Sequence, residues 1–177
     1  MSGSGTGIPR KSHGSPTQAS FAQERLWFME KLAPSSCAFN LLNGYAIRGP
    51  LDRDVLERAV RAIVGRHEAL RTNLVQSDGK VRQAVSPVQE GVFEFVDLSH
   101  LPGGGVREAE EEALGRACRP YDLSKDLLFR AVLFKTGRDK HLLAVFAHHS
   151  VFDGLPHVFV LSAADGGSMS SEAYVII

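Results

Sequence analysis

A run of consecutive apolar residues that ends in two histidines, "LLAVFAHH" from Leu142 to His149, constrains the fold more than any other segment. A strand that is apolar on successive positions has no side suited to water, so both of its faces must be covered. We therefore predict a central strand in a layered sheet. The turn "SVFDG" follows at once and places Asp153 and Gly154 just beyond the strand.

Three segments have the composition of helices that could cover such a sheet. One is predicted to begin with a cap at Ser15 to Thr17 and to run to about Leu32. A second is capped by Asp52 or Asp54 and carries apolar residues at helical spacing: Val55, Leu56, Ala59, Val60, Ile63 and Val64. The third is "GGGVREAEEEALGRACRP", opened by glycines and closed before a proline, with a solvated glutamate face.

Strand patterns lie between these helices. "LLNGYAIRG" predicts a strand that Asn43-Gly44 interrupts with a bulge or a turn. "LRTNLVQ" and "KVRQAVS" flank "SDG" and predict a hairpin, and "GVFEFVDL" predicts a further extended segment. "LLFRAVLFKTG" pairs with the histidine strand in a second hairpin. The alternation of helices with paired strands predicts an α/β fold of two or three layers with mixed strand directions.

Composition excludes several classes of function. Lys+Arg and Asp+Glu both number 20, so no net field would attract nucleic acid or an anionic membrane. No apolar run reaches the ~18 residues of a membrane span. The leader "MSGSGTGIPRKSHGSP" lacks the apolar core of a secretion signal, so we predict a cytoplasmic protein. Cys37 and Cys118 lie far apart and fit no metal or redox spacing, so we expect reduced thiols.

The two histidines cannot serve one cavity together. Neighbours in a strand point to opposite faces, so one imidazole should pack inside and the other should face the space beyond the sheet. Convergent metal binding is disfavoured for the same reason. Ser150 lacks the pattern of a nucleophile elbow. Two interpretations remain. One histidine could act as a general acid or base on a nucleophile that belongs to the substrate, or the segment could simply be a strand that ends in a polar turn.

Three motifs in order carry a family resemblance. "SFAQERLWFMEKLAP", "RHEALRTNL" and "AHHSVFDG" resemble the first three signature motifs of the condensation domains of nonribosomal peptide synthetases. The intervening "GPLDRDVLERAVRAIVGRHEALRT" and "YDLSKDLLFRAVLF" also resemble that family. The resemblance implies a layered α/β lobe like that of chloramphenicol acetyltransferase, with a mixed, largely antiparallel sheet and flanking helices.

The resemblance also implies a reaction. An upstream carrier protein presents an acyl or peptidyl thioester on a phosphopantetheine arm, and a downstream carrier presents an aminoacyl thioester whose amine attacks it. His149 matches the second histidine of the motif and would position or deprotonate that amine. His148 would be packed. The phosphopantetheine arms come from the carriers, so we expect no tightly bound cofactor and no metal.

The remaining residues of the motif are expected to support His149. Asp153 would be structural and ion-paired with an arginine, for which Arg66 and Arg71 are the candidates in this chain. A second condensation lobe could supply the arginine instead. Gly154 allows a backbone conformation that a side chain would penalise.

The match ends after the third motif. Leu155-Pro156 replace the residues that usually follow, and "HVFVLSAADGGSMSSEAYVII" does not align. We therefore divide the chain into a flexible leader (1–14), the N-terminal lobe of a condensation domain (15–154) and a divergent tail (155–177), which we interpret as truncated or frame-shifted. One lobe would hold half of the family's cleft. Alternatives are a stand-alone acyltransferase, a non-catalytic module that docks carrier proteins and, as a minor option, an epimerization domain.

Overall fold

The computed structural model describes residues 17–152. Its elements follow in this order: β1 (Thr17–Gln18), α1 (Phe21–Leu32), β2 (Asn40–Arg48), α2 (Arg53–Arg66), a 3-10 helix (Glu68–Arg71), β3 (Thr72–Ser77), β4 (Lys80–Val85), β5 (Phe93–Asp97), a 3-10 helix (Pro102–Gly104), α3 (Val106–Ala117), β6 (Phe129–Gly137) and β7 (Lys140–His148). The expected leader, the expected tail, Asp153 and Gly154 lie outside the described residues.

The larger sheet has the strand order β2-β7-β6-β5. Strand β7 is antiparallel to both of its neighbours, and β5 is parallel to β6. The central position predicted for the histidine strand is confirmed, as is the mixed, largely antiparallel sheet. Strand β7 therefore has hydrogen-bonded neighbours on both edges along its length.

Helices α2 and α3 cover opposite faces of this sheet. Alternate residues of β7, Leu143 and Val145, belong to a core that also holds three residues of α2: Leu56, Val60 and Val64. The residues between them, Ala144 and Phe146, pack in a second core with Ala109 and Ala113 of α3. This explains the unbroken apolar run of β7, and the predicted layered α/β fold is confirmed.

A smaller antiparallel sheet has the order β1-β4-β3. Its hairpin turns at Asp78 and Gly79, whose φ angles of 53° and 71° are both left-handed. Two successive left-handed residues are typical of the tight turn that matches the twist of paired strands. The hairpin predicted from "SDG" is therefore confirmed.

Two local predictions are wrong. The first helix is capped by Ser20, not by Ser15 to Thr17, because Thr17 and Gln18 pair with β4. Asn43-Gly44 forms neither bulge nor turn, because β2 pairs with β7 in one unbroken register from Asn40 to Arg48. Nine consecutive pairs outweigh the weak turn preference of two residues.

Asp52 is the cap of α2. Its carboxylate accepts hydrogen bonds from the backbone N–H groups of Asp54 and Val55, at 2.9 and 3.1 Å. We expect Asp52→Ala to lower the free energy of unfolding by about 1 kcal/mol, because two helix-end N–H groups lose their partner. The matched control is Asp54→Ala, which removes an exposed first-turn carboxylate and its contact with Arg53 but leaves the Asp52 cap in place. Urea denaturation of both variants checks this, and equal losses would contradict the assignment.

Candidate active site

His149 follows the end of β7 directly and its side chain is exposed. The backbone is fixed from two sides at this point. The N–H of His148 donates to the carbonyl of Leu128, and the N–H of His149 donates to the carbonyl of Phe39, both at 2.9 Å. These hydrogen bonds hold the backbone of His149 in place while its imidazole remains exposed.

His148 points the other way and is fully buried. The rings of Phe39 and Tyr121 lie edge-on to its imidazole, with centroids 6.4 and 5.9 Å away. This is the packed position expected from strand alternation. Two neighbouring imidazoles thus occupy very different environments, one enclosed and one exposed.

A local turn stabilises the end of the strand. The N–H of Ser150 donates to Nδ1 of His148 at 3.1 Å, and the Oγ of Ser150 lies 2.9 Å from the same nitrogen. The N–H of Val151 donates to the carbonyl of His148 at 3.0 Å. Because Nδ1 accepts a hydrogen bond from a backbone N–H, the neutral imidazole must carry its own proton on Nε2.

The Nε2 atom of His148 lies 3.4 Å from Oε1 of Glu30, which is itself buried. Burial lowers the pKa of His148 to about 4, with a further contribution from the neighbouring His149. Burial also raises the pKa of Glu30 above its usual value. At neutral pH the contact is therefore a hydrogen bond donated by a neutral imidazole rather than an ion pair.

Helix α1 holds the same turn at a second point. Nε2 of Gln23 donates to the carbonyl of Ser150 at 3.0 Å. Oε1 of Gln23 accepts from the N–H of Ser20 and from Nε2 of Gln83 on β4. Gln23 therefore joins the cap of α1, the smaller sheet and the turn that carries His149.

A cavity of about 420 Å³ borders Glu30. It lies between the end of α1 and the segment that precedes β6, and Trp27 forms part of its wall. Trp27 also packs against the core of the smaller sheet.

The two arginines proposed for Asp153 have different surroundings. Arg66 is exposed in the last turn of α2. Arg71 donates to the carbonyl of Ser86 at 2.6 Å and lies 3.5 Å from a carboxylate oxygen of Glu68. Since Asp153 is outside the described residues, its pairing stays a prediction.

Residues 17–152 contain neither a cluster of metal ligands nor a membrane-spanning helix. No group of three or more His, Cys, Asp or Glu side chains in this range could hold a metal ion. No helix in the same range has the length and apolar character needed to cross a membrane.

The model of the condensation domain family matches residues 16–161. The chain belongs to the condensation domain family. Cyclosporin synthetase simA of Tolypocladium inflatum is 36% identical over 147 residues, which are 83% of this chain and 1% of that protein. Isonitrile lipopeptide synthase of Mycobacterium tuberculosis is 37% identical over 159 residues, 87% of this chain and 6% of that protein.

Solved condensation domains share the fold. The starter condensation domain of rhizomide synthetase RzmA gives a TM-score of 0.71 at 23% identity, over 77% of this chain and 33% of that one. The first condensation domain of the calcium-dependent antibiotic synthetase gives 0.67 at 26% identity, over 76% and 33%. The chain thus spans about a third of the solved condensation domain chains and a few per cent of the curated synthetases.

The structure brings His148 and Ser150 together with two residues that the sequence prediction did not single out, Gln23 and Glu30. A signal for both was present in the first condensation motif. They are seven residues apart and so lie on one face of α1, two turns from each other. The spacing could not predict what this face contacts, because Ser150 is 127 residues away from Gln23 in the chain.

Proposed function

We propose that this chain supplies the histidine-bearing half of a site that forms amide bonds between carrier-bound substrates. The observation that carries the proposal is an exposed imidazole, His149, on a backbone that is hydrogen-bonded on both sides. A group held so firmly can receive a substrate without reorganising. Membership of the condensation domain family supports the nature of the reaction.

In the proposed reaction the amine of the downstream aminoacyl thioester attacks the carbonyl carbon of the upstream acyl thioester. The imidazole of His149 hydrogen-bonds the amine and receives its proton as the C–N bond forms. The C–S bond then breaks, and the imidazolium returns the proton to the leaving sulfur. The products are an amide on the downstream carrier and a free phosphopantetheine thiol on the upstream carrier.

His148 and Asp153 have no chemical step in this proposal. His148 is neutral and enclosed, and it connects the turn to Glu30. Asp153, paired with Arg66, Arg71 or an arginine of a second lobe, would hold the loop after the turn, and Gly154 would allow its conformation. The partners are acyl- and aminoacyl-carrier domains and a second condensation lobe, and we place the reaction in the cytoplasm.

A chimera tests the proposal. Residues 17–152 replace the matching segment of a relative's active condensation domain, and the amide product on the downstream carrier is measured by intact-protein mass spectrometry. We expect product from the chimera when both loaded carriers are present. A chimera that folds, as judged by its thermal transition, yet forms no amide would show that the proposal is wrong. A trimer of the natural chain that acylates a free acceptor would favour a stand-alone acyltransferase instead.

A further inference from the structure

The fold brings the two cysteines of the chain together. Cys37 lies in the loop before β2, and Cys118 is the C-cap residue of α3. Asn40 connects the two segments, since its Nδ2 atom donates to the carbonyls of Ala117 and Arg119 at 2.6 and 2.8 Å. Those carbonyls flank Cys118, and the N–H of Asn40 donates to the carbonyl of Cys37 at 3.1 Å. Asn40 therefore holds the loop before β2 against the end of α3.

The hydrogen bonds of Asn40 bring the segments that carry the two thiols together. Both cysteines are free. Interaction with the Cys118 thiol raises the pKa of the Cys37 thiol, and partial burial adds to the effect. Cys118 is exposed, whereas Cys37 is half-buried. The exposed thiol can meet a small reagent from solution, and the inner thiol lies beside it to complete a second step.

We propose that Cys37 and Cys118 are a redox site that closes to an intramolecular disulfide on reaction with a low-molecular-weight disulfide such as oxidised glutathione. The thiolate of Cys118 attacks one sulfur of the reagent, forming a mixed disulfide and releasing one reduced glutathione. The thiolate of Cys37 then attacks the Cys118 sulfur and releases the second. The protein loses two hydrogen atoms, and one oxidised glutathione becomes two reduced molecules.

The site is close to the support of His149. Phe39, whose carbonyl accepts the N–H of His149, is two residues after Cys37 in the same loop. Closing the disulfide would tie this loop covalently to the end of α3, in addition to the hydrogen bonds that Asn40 makes there. The two thiols take no part in the proposed amide-forming reaction.

The test compares the native chain with the same chain in urea. Both are equilibrated in mixtures of reduced and oxidised glutathione, quenched with acid and analysed by intact mass and by peptide mapping. Because the fold holds the thiols together, we expect the equilibrium constant for the Cys37–Cys118 disulfide to be at least about tenfold higher in the native chain. An equal or lower constant in the native chain, or a disulfide between two molecules, would overturn the proposal.

A variant supplies a second readout that does not depend on the disulfide itself. Cys37→Ser removes the thiol that displaces glutathione, so the mixed disulfide on Cys118 should accumulate in the native variant. In the native wild-type protein the same adduct should be a minor species. Equal amounts of adduct in the two proteins would overturn the order of steps and the pairing of the thiols.

Discussion

Replacing His149 by alanine is expected to lower the rate of amide formation roughly 10²–10⁴-fold, the usual contribution of a positioned acid–base group. The loss should appear in the rate of the chemical step, because the ring is open to substrate and makes no packing contribution to the core. The measurement is single-turnover formation of the amide by the chimera with both carriers loaded.

Two companion variants sharpen this prediction. His100→Ala removes an exposed histidine elsewhere on the lobe and should leave the rate unchanged. His149→Gln keeps a hydrogen-bond donor without a basic nitrogen, so a rate near that of wild type would assign His149 to positioning of the amine rather than to its deprotonation. A rate for His149→Ala within twofold of that for His100→Ala would contradict the role of His149.

The second large effect is a loss of stability in mild acid. The unfolded chain binds a proton on His148 near pH 6.5, but burial delays this protonation in the folded chain until about pH 4. The unfolded state therefore takes up the proton first as the pH falls. The contribution of neutral His148 to the free energy of unfolding is complete above pH 6.5 and declines toward pH 4. The total loss is on the order of 3 kcal/mol, because each pKa unit corresponds to about 1.36 kcal/mol. Urea denaturation at a series of pH values checks this.

Two other groups also change how the free energy of unfolding depends on pH, and their effects must be distinguished from that of His148. The raised pKa of Glu30 acts in the opposite direction, because the folded chain binds that proton first. Burial lowers the pKa of His141, which adds to the loss in acid. The variant His141→Gln should retain most of the acid effect, whereas His148→Gln should lose most of it. Nitrogen-15 NMR gives an answer without variants: an Nδ1 proton on His148 at neutral pH, or titration near pH 6.5, would contradict the description.

Much of the architecture could be predicted because it rests on local periodicity. The apolar run of β7 predicted a central strand, and the spacing from Val55 to Val64 predicted the buried face of α2. The alternation of side chains along a strand also predicted that His148 and His149 point in opposite directions. Each of these patterns describes which side of one element meets the core, and this is information that a short stretch of chain contains.

The errors occurred where two local patterns competed. Ser15 and Ser20 are each followed three residues later by a glutamine, so both match a capping box. Ser20 forms one with Gln23, whereas Thr17 and Gln18 pair with β4. Asn43-Gly44 likewise has the composition of a turn, but pairing with β7 keeps it extended. In both cases a distant strand decided the outcome.

The sequence by itself determined the family, the layered α/β fold and the position of the two histidines at the end of a buried strand. Only the tertiary structure decided which groups meet there: Glu30 with His148, Gln23 with the carbonyl of Ser150, and Cys37 with Cys118. Glu30 and His148 are 118 residues apart in the chain. Periodicity fixes the direction of a side chain relative to its own helix or strand, but contact across such a separation depends on how whole elements pack.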